Sequence, residues 1–339
     1  MTRARVLEIP AASKRHLRVM LLAKHARSDG RLDREDGSHA IYHHELRSTL
    51  EAIGLRVEPA VSYDAVIARP DCDFVVALLN RGGFQNSEML APLLLTKHGI
   101  PYLGASPIVR GLADDKHLMK VAARHRGVPT APWCSFRRGA VPLAAPAFEY
   151  ERLIVKPNAS SASWGIGVYD DWQGAAQHAA ALHKQGHDVI VEPWIPLYDV
   201  AVPVVGADGP WLLPPLVHVP EVPGTLRSYA EKRNLVEVKD DALEPVADAA
   251  LRDRLFSHAS ALVEELWPFD YGRFEFRWDP RSGEVSFMEV NLSCNLWSKK
   301  TISRSAKTLG VSHEALVETI VAHSMARQGL IELAAGARA

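Results

Sequence analysis

Cysteine is scarce: Cys72, Cys134 and Cys294 are the only three in 339 residues. They are odd in number, far apart and form no Cys-x-x-Cys pair, which excludes a disulfide framework and a cysteine metal site and implies a reducing, cytoplasmic setting. No run reaches the roughly eighteen apolar residues that a membrane-spanning helix needs. Charge of one sign is also missing, with 39 basic against 40 acidic side chains. That balance removes the uniform attraction behind most non-specific nucleic-acid binding. The chain has no Gly-x-Gly-x-x-Gly after its first apolar run and no GxxxxGK[ST], which counts against a dinucleotide cofactor and a P-loop. Repeats and long low-complexity tracts are absent, and 47% hydrophobic residues exclude a disordered chain. Lys14, Arg15, Arg18 and Lys24 interrupt any secretory signal, so residues 1–15 read as a loose leader whose basic bias leaves a transit peptide open.

Up to about residue 106 the apolar runs 17–23 and 74–79 alternate with helical patterns at 40–53 and 87–98, the mark of a parallel sheet with helical crossovers. One helix is expected from Ala113 to Arg126, stopped by Gly127. The pattern then changes to strands at 153–156, 166–169, 188–192, 198–205 and 211–219, with a helix at 172–185. A polar stretch, 224–241, precedes a helix expected over 245–266, strands at 271–278 and 284–291, and helices at 299–309 and 312–325. The expected units are 16–106, 107–192 and 193–330, with 331–339 as a tail.

Four segments could carry chemistry. Strand alternation puts Arg273, Glu275 and Arg277 on one face and Phe274, Phe276 and Trp278 on the other, while the next strand groups Phe287, Glu289 and Asn291. Paired as a hairpin, these strands converge two carboxylates and a carboxamide oxygen, a hard donor set suited to Mg²⁺; the plain reading is a solvated sheet face. Lys156 ends a strand ahead of a loop of small residues, Ala159 to Gly167, which can cradle phosphate or simply turn a hairpin. Glu192, Trp194, Ile195 and Asp199 join an acid, apolar faces and a second acid, as an adenosine would need or as a strand corner would have. Lys116 and Lys120 lie one helical turn apart, usually a solvated face.

In this order the segments resemble the ATP-grasp superfamily, most closely the D-alanine–D-alanine ligase group, over nearly the whole chain from Leu17. The carriers are Asn80-Arg-Gly-Gly83, Ile100-Pro-Tyr-Leu-Gly104, Asp115-Lys116, Val128-Pro129, Val155-Lys-Pro157 with its small-residue loop, Val191-Glu-Pro-Trp-Ile195, Gly272-Arg-Phe-Glu275 and Met288-Glu-Val-Asn291. The resemblance implies an α/β and α+β chain: an ATP-grasp fold behind an N-terminal parallel α/β domain. It implies an ADP-forming carboxylate–amine ligase working through an acyl phosphate, with ATP and two Mg²⁺ ions, or Mn²⁺ in their place. Lys116, Lys156, Ser160, Ser161 and Ser163 would hold phosphates, and Glu192, Trp194, Ile195, Asp199 and Met288 adenine and ribose. Glu275, Glu289 and Asn291 would bind metal, with Arg273, Lys232 and Ser163 catalytic. Arg81, Gly82, Asn295, Lys299 and Lys300 would face substrates. The partners would be small carboxylates and amines, not nucleic acid or membrane, with a homodimer as one option for the assembly.

The chain departs from that group where amino acids bind. Its first loop serine falls on Ala162, its Lys-Tyr pair on Lys232-Arg233, and its Pro-Gly pair on Cys294-Asn295, while Trp297-Ser-Lys-Lys300 replaces a hydroxyl-bearing stretch. The acid near the first turn has Glu35 as its nearest candidate. Substrates other than two D-alanines are therefore expected, with Lys299 or Lys300 at a helix start meeting an extra carboxylate. A D-alanine–D-alanine ligase proper, a non-catalytic ATP-binding protein and a kinase on the same scaffold are the competing readings.

Overall fold

The computed structural model describes residues 5–79, 87–139, 143–160, 163–219 and 242–333. Helix α1 (Ala11–His16) leads into β1 (Arg18–Leu22), α2 (His39–Ala52), β2 (Arg56–Ala60), α3 (Asp64–Ile67) and β3 (Phe74–Ala77). The three strands form a parallel sheet in the order β2-β1-β3. No strand is expected from the sequence between α2 and β3; β2 forms there at the sheet edge, where its Pro59 is tolerated. Helix α4 (Leu90–His98) ends at Gly99, whose φ of 66° closes the last turn.

The single helix expected over 113–126 is two. Helix α5 (Pro107–Asp114) starts at Ser106, whose hydroxyl accepts from the Val109 amide, and α6 (Lys116–His125) starts at Asp115, which accepts from the Leu118 amide at 2.9 Å. Asp115 is extended at φ −82° and ψ 101°, so it both ends one helix and caps the next.

Strands β4 (Cys134–Phe136), β5 (Leu153–Pro157), β6 (Gly167–Tyr169) and β7 (Val189–Pro193) form an antiparallel sheet in the order β4-β7-β5-β6, and α7 (Trp172–Lys184) covers it through Ala175, Ala179 and Leu182. The last sheet contains β8 (Tyr198–Gly206), β9 (Pro210–Leu212), β10 (Leu216–Val219), β11 (Ala242–Pro245), β12 (Tyr271–Trp278) and β13 (Val285–Asn291), in the order β11-β10-β8-β12-β13 with β9 beside β8. The strand expected over 211–219 is broken at Leu213-Pro-Pro215. The long helix α8 (Ala249–Leu266) begins later than expected, because Pro245 pairs in β11 and Asp248 caps the helix by accepting from Leu251 at 2.6 Å. Helices α9 (Thr301–Lys307) and α10 (His313–Arg327) complete the chain.

Ala113, Met119 and Ala123 of α5 and α6 share a core with Leu255, Leu262, Phe274, Phe276 and Phe287, so the apolar face of these helices packs on the last sheet. The unit expected over 107–192 thus opens on two helices that belong to its neighbour's core. The described part of the leader is not loose: Leu7 and Ile9 are buried, and their amides donate to Thr319 Oγ1 and Glu318 Oε1 of α10 at 3.0 and 2.9 Å.

Candidate functional site

The β12–β13 hairpin sets Glu275 directly opposite Glu289 and Arg273 opposite Asn291. The register then slips by one residue, so that Phe276 pairs with Phe287 and Met288 is the extra residue of a β-bulge. Phe287 therefore does not share a face with Glu289 and Asn291 as alternation predicts; it is buried, with its ring 5.8 Å from that of Phe276. The slip leaves Met288 and Glu289 both half-buried. Two carboxylates in opposed register repel unless cations lie between them. Arg273 Nη2 sits 2.8 Å from Glu275 Oε1, and Lys116 Nζ 3.4 Å from Glu289 Oε2. Asn291 Oδ1 accepts from the Ser293 amide at 3.0 Å.

Lys116 and Lys120, expected on a solvated face, are both buried, Lys116 against Glu289 of β13 and Lys120 against Glu192 of β7. Lys116 Nζ also donates to the Ser160 carbonyl at 2.8 Å, tying α6 to the small-residue loop. Lys120 Nζ lies 3.2 Å from Glu192 Oε1 and donates to Thr130 Oγ1 at 2.8 Å, while Lys156 Nζ donates to Glu192 Oε2 at 2.8 Å. Glu192 thus clamps two lysines instead of presenting its carboxylate to a ribose. Burial opposes its charge, but Lys120 and then Lys156 outweigh burial and hold its pKa down at about 2. Burial keeps Lys120 below its ordinary value even with Glu192 opposite. Asp114, half-buried, is pushed up to about 7 by desolvation and then by the Glu88 charge, despite Lys116. Sequence alone puts Lys120 with Lys116 on a solvated face and does not single out Thr130 or Asp114; no local pattern pairs Lys120 with Glu192 and Thr130, which reach it from other segments.

At the loop, Ser163 holds φ 60° and Gly165 φ 70°; a side chain on Gly165 would meet Pro157 Cγ at 2.7 Å. Beyond β7, Trp194 and Ile195 are half-buried, and Arg277 bridges the segment: it lies over the Trp194 ring at 5.4 Å, donates to the Leu197 carbonyl at 2.9 Å and pairs with Asp199 at 3.1 Å. Arg81, Gly82, Ser161, Ala162, Lys232 and Arg233 lie outside the described residues.

The segment after Asn291 is held by α2. Leu296 N donates to Tyr42 Oη at 3.2 Å; Trp297 Nε1 and Ser298 N donate to the two oxygens of Glu45 at 2.7 and 2.9 Å. Ser298 does not start a helix: α9 begins at Thr301, with Lys300 as its N-cap. Lys299 and Lys300 lie over the Trp297 ring at 5.5 and 5.8 Å, and Lys299 is exposed. Asn295 Oδ1 accepts from the Trp297 amide at 2.7 Å. Cys294 is buried, and burial pushes its thiol up to about 12, as for a small apolar residue. Arg110, itself buried, donates to Ser293 Oγ at 2.9 Å and to the Leu103 carbonyl at 2.7 Å; its guanidinium passes where a side chain on Gly104 (φ 121°) would stand. Glu35 is exposed, and the neighbouring Asp36 is the buried acid, held by Lys24 and, at 2.9 Å, by His25 Nε2.

A carboxylate pair on a hairpin, buried lysines on α6 and β5 and a small-residue loop between two antiparallel sheets define an ATP-dependent carboxylate–amine ligase with the ATP-grasp fold. A family model described as the D-ala D-ala ligase C-terminus matches residues 123–322, and the chain belongs to that family. It is 27% identical over 245 residues to the D-alanine–D-alanine ligase of Desulfovibrio desulfuricans, covering 72% of this chain and 78% of that protein. It is 29% identical over 237 residues to the uncharacterized protein y4sG of Sinorhizobium fredii, covering 68% and 69%. In fold it is similar to the D-alanine–D-alanine ligase from Bacillus anthracis complexed with ATP, with a TM-score of 0.72, 17% identity and coverage of 92% of this chain and 98% of that one. The VanG D-Ala:D-Ser ligase from Enterococcus faecalis is similar at a TM-score of 0.66 and 15% identity, over 91% and 99%. The enzyme uses ATP and a divalent metal and forms ADP. Among the described residues no helix is long and apolar enough to cross a membrane.

Proposed function

We propose that the enzyme joins a carboxylate to an amine other than two D-alanines, with two Mg²⁺ ions, or Mn²⁺, at the hairpin. The observation that carries the metal assignment is the opposed pair Glu275 and Glu289, with Asn291 next on the same strand. Hard oxygen donors fit such an ion, and Arg273 and Lys116 supply its charge in its place. Bound metal neutralises phosphate charge, so that an anionic nucleophile can approach a polyanion. Lys116 and Lys156 contact the phosphates under the loop of Ser160 and Ser163. Trp194, Ile195 and Met288 face the adenine, Asp199 the ribose, and Glu192 positions the lysines. A carboxylate oxygen attacks the γ-phosphorus as the bond to ADP breaks, giving an acyl phosphate. The amine nitrogen then attacks the acyl carbon, phosphate leaves with the C–O electron pair, and the nitrogen loses a proton. Arg273, 3.4 Å from Thr301 Oγ1, is placed to stabilise the charge that develops.

The departure from D-alanine is supported on the acceptor side, where buried Cys294 falls on the proline of the group's Pro-Gly pair and buried Trp297 opens the stretch that replaces a hydroxyl-bearing one. The test is substrate-dependent release of ADP and phosphate over amino acids and small acids, singly and in pairs. Efficient D-alanyl-D-alanine synthesis would overturn the substrate reading, and no release from any pair would overturn the ligase reading.

A further inference from the structure

A cavity of about 380 Å³ opens between the first sheet and the segment after Asn291. Lys24, His25, Asp36, His39, Tyr42 and His43 line one side, Val61, Tyr63, Leu78 and Leu79 another, and Ser293 and Asn295 the side toward the hairpin. Ser293 links this space to the proposed metal ligands, since its amide donates to Asn291 and its hydroxyl accepts from Arg110. The volume falls in the range of ~300–1,000 Å³ for pockets that enclose whole small molecules. An alanyl methyl would leave most of it empty.

The lining offers more donors to an anion than acceptors to a cation. One lysine and three imidazoles face a single carboxylate, and that carboxylate, Asp36, is already held by Lys24 and by His25 Nε2 at 2.9 Å. A ligand ammonium would have to compete with both for Asp36. A ligand anion meets the opposite situation: Lys24 has a flexible stem and a side chain 53% exposed, so it can turn from Asp36 to the newcomer. His25 stays with Asp36, while His39 and His43 stand 5.9 Å apart by ring centroids, close enough for both imidazoles to face one anion.

We infer that this cavity receives the distal part of an acid substrate that carries a second anionic group, carboxylate or phosphate, with Lys24 and the histidine wall as its specificity determinants. The inference rests on the ligase reading for the position of the reacting carboxylate near Asn291. It replaces Lys299 and Lys300 as the source of selective charge, because neither lines the cavity.

The test uses the full chain with Mg²⁺. Binding of glutamate, O-phosphoserine and alanine, each in both hands, is measured by calorimetry with a non-hydrolysable ATP analogue, and ADP release is measured with ATP and a panel of amines. The expected result is binding of glutamate or O-phosphoserine at least tenfold tighter than alanine. Lys24→Met should abolish most of that preference while moving the ATP Kd less than twofold. The better of the two acids tells carboxylate from phosphate. Equal or tighter binding of alanine, or a preference that Lys24→Met and His43→Gln both leave intact, would overturn the inference, whatever the turnover assay gives. A Lys24-dependent preference without ADP release would support it and would instead sink the ligase reading. Lys24 is half exposed, so its variant keeps the fold; a melting temperature within a few degrees of the parent checks this.

Discussion

The two ends of the site are built from different materials. At the phosphate end, charges are buried and held in chains: Lys116 to Glu289, and Lys120 and Lys156 to Glu192, all between sheets that pack on α6. At the substrate end, α2 and the segment 291–298 present imidazole, phenol, hydroxyl and amide groups around an open cavity. On the proposed reading the phosphate end takes ATP, whose charge does not vary with the amino-acid substrates, so its cations must be fixed and their spacing cannot drift. The substrate end faces whatever acid and amine this chain uses. The motif resemblance read from the sequence is accordingly fuller in the segments assigned to ATP than at Cys294-Asn295 and Trp297-Ser-Lys-Lys300.

The comparison breaks first at the hairpin. Glu289→Gln keeps shape but removes one negative charge from a cation site, and kcat should fall by about 10²–10³, the scale of losing one preorganised electrostatic contact. Steady-state rates on a variant with unchanged circular dichroism check it; wild-type turnover would return Glu275 and Glu289 to a merely solvated face. Next in size is Glu192→Gln, which leaves Lys120 and Lys156 buried with no carboxylate. Denaturant unfolding should show a loss of roughly 3 kcal/mol. The pH dependence has a definite sign: the folded pKa, about 2, lies below the ordinary 4.5, so this stability is whole above pH 4.5 and is lost as pH falls toward 2.

A smaller effect sharpens the other side. Glu45 uses both oxygens on Trp297 and Ser298, and a carboxamide offers only one acceptor. Glu45→Gln should raise the KM of one amino-acid substrate about fivefold, on the order of 1 kcal/mol for one hydrogen bond, and leave the KM for ATP in place. A rise in the ATP KM instead would mean that the two ends are not separable. The smallest effect comes from a residue in neither end. His323 is buried against Trp267, and burial followed by Arg327 pushes its pKa down to about 4 from 6.5. The unfolded chain therefore binds the proton first as pH falls, and roughly 0.7 kcal/mol of stability is lost between pH 7 and 6. His323→Gln should flatten that slope, and an unchanged slope would assign it to another group.

Local patterns carried some elements well and misled on others. The hairpin of β12 and β13 was readable because alternation and a Pro-to-Gly turn are local, but the bulge at Met288 was not: one inserted residue leaves composition untouched and moves Phe287 to the other face. Lys120 looked solvated because spacing along α6 says which residues share a face, not what that face meets; Glu192 of β7 and Thr130 meet it. Glu35 was the nearest acid by position, yet Asp36 points inward, since the Asp33-to-Gly37 turn decides which of two adjacent acids is buried.

What the sequence by itself determined is the order of most elements and the residues of the candidate phosphate and metal motifs, because a strand-end lysine, a loop of small residues and acids on adjacent strands are set within a few residues of chain. The tertiary structure alone decided which partner each charge has and where the substrate cavity lies. Glu45 meets Trp297 across 252 positions and Arg110 meets Ser293 across 183. Such contacts come from α2 and α5 packing against the far end of the chain, and no local pattern of residues encodes that packing one contact at a time.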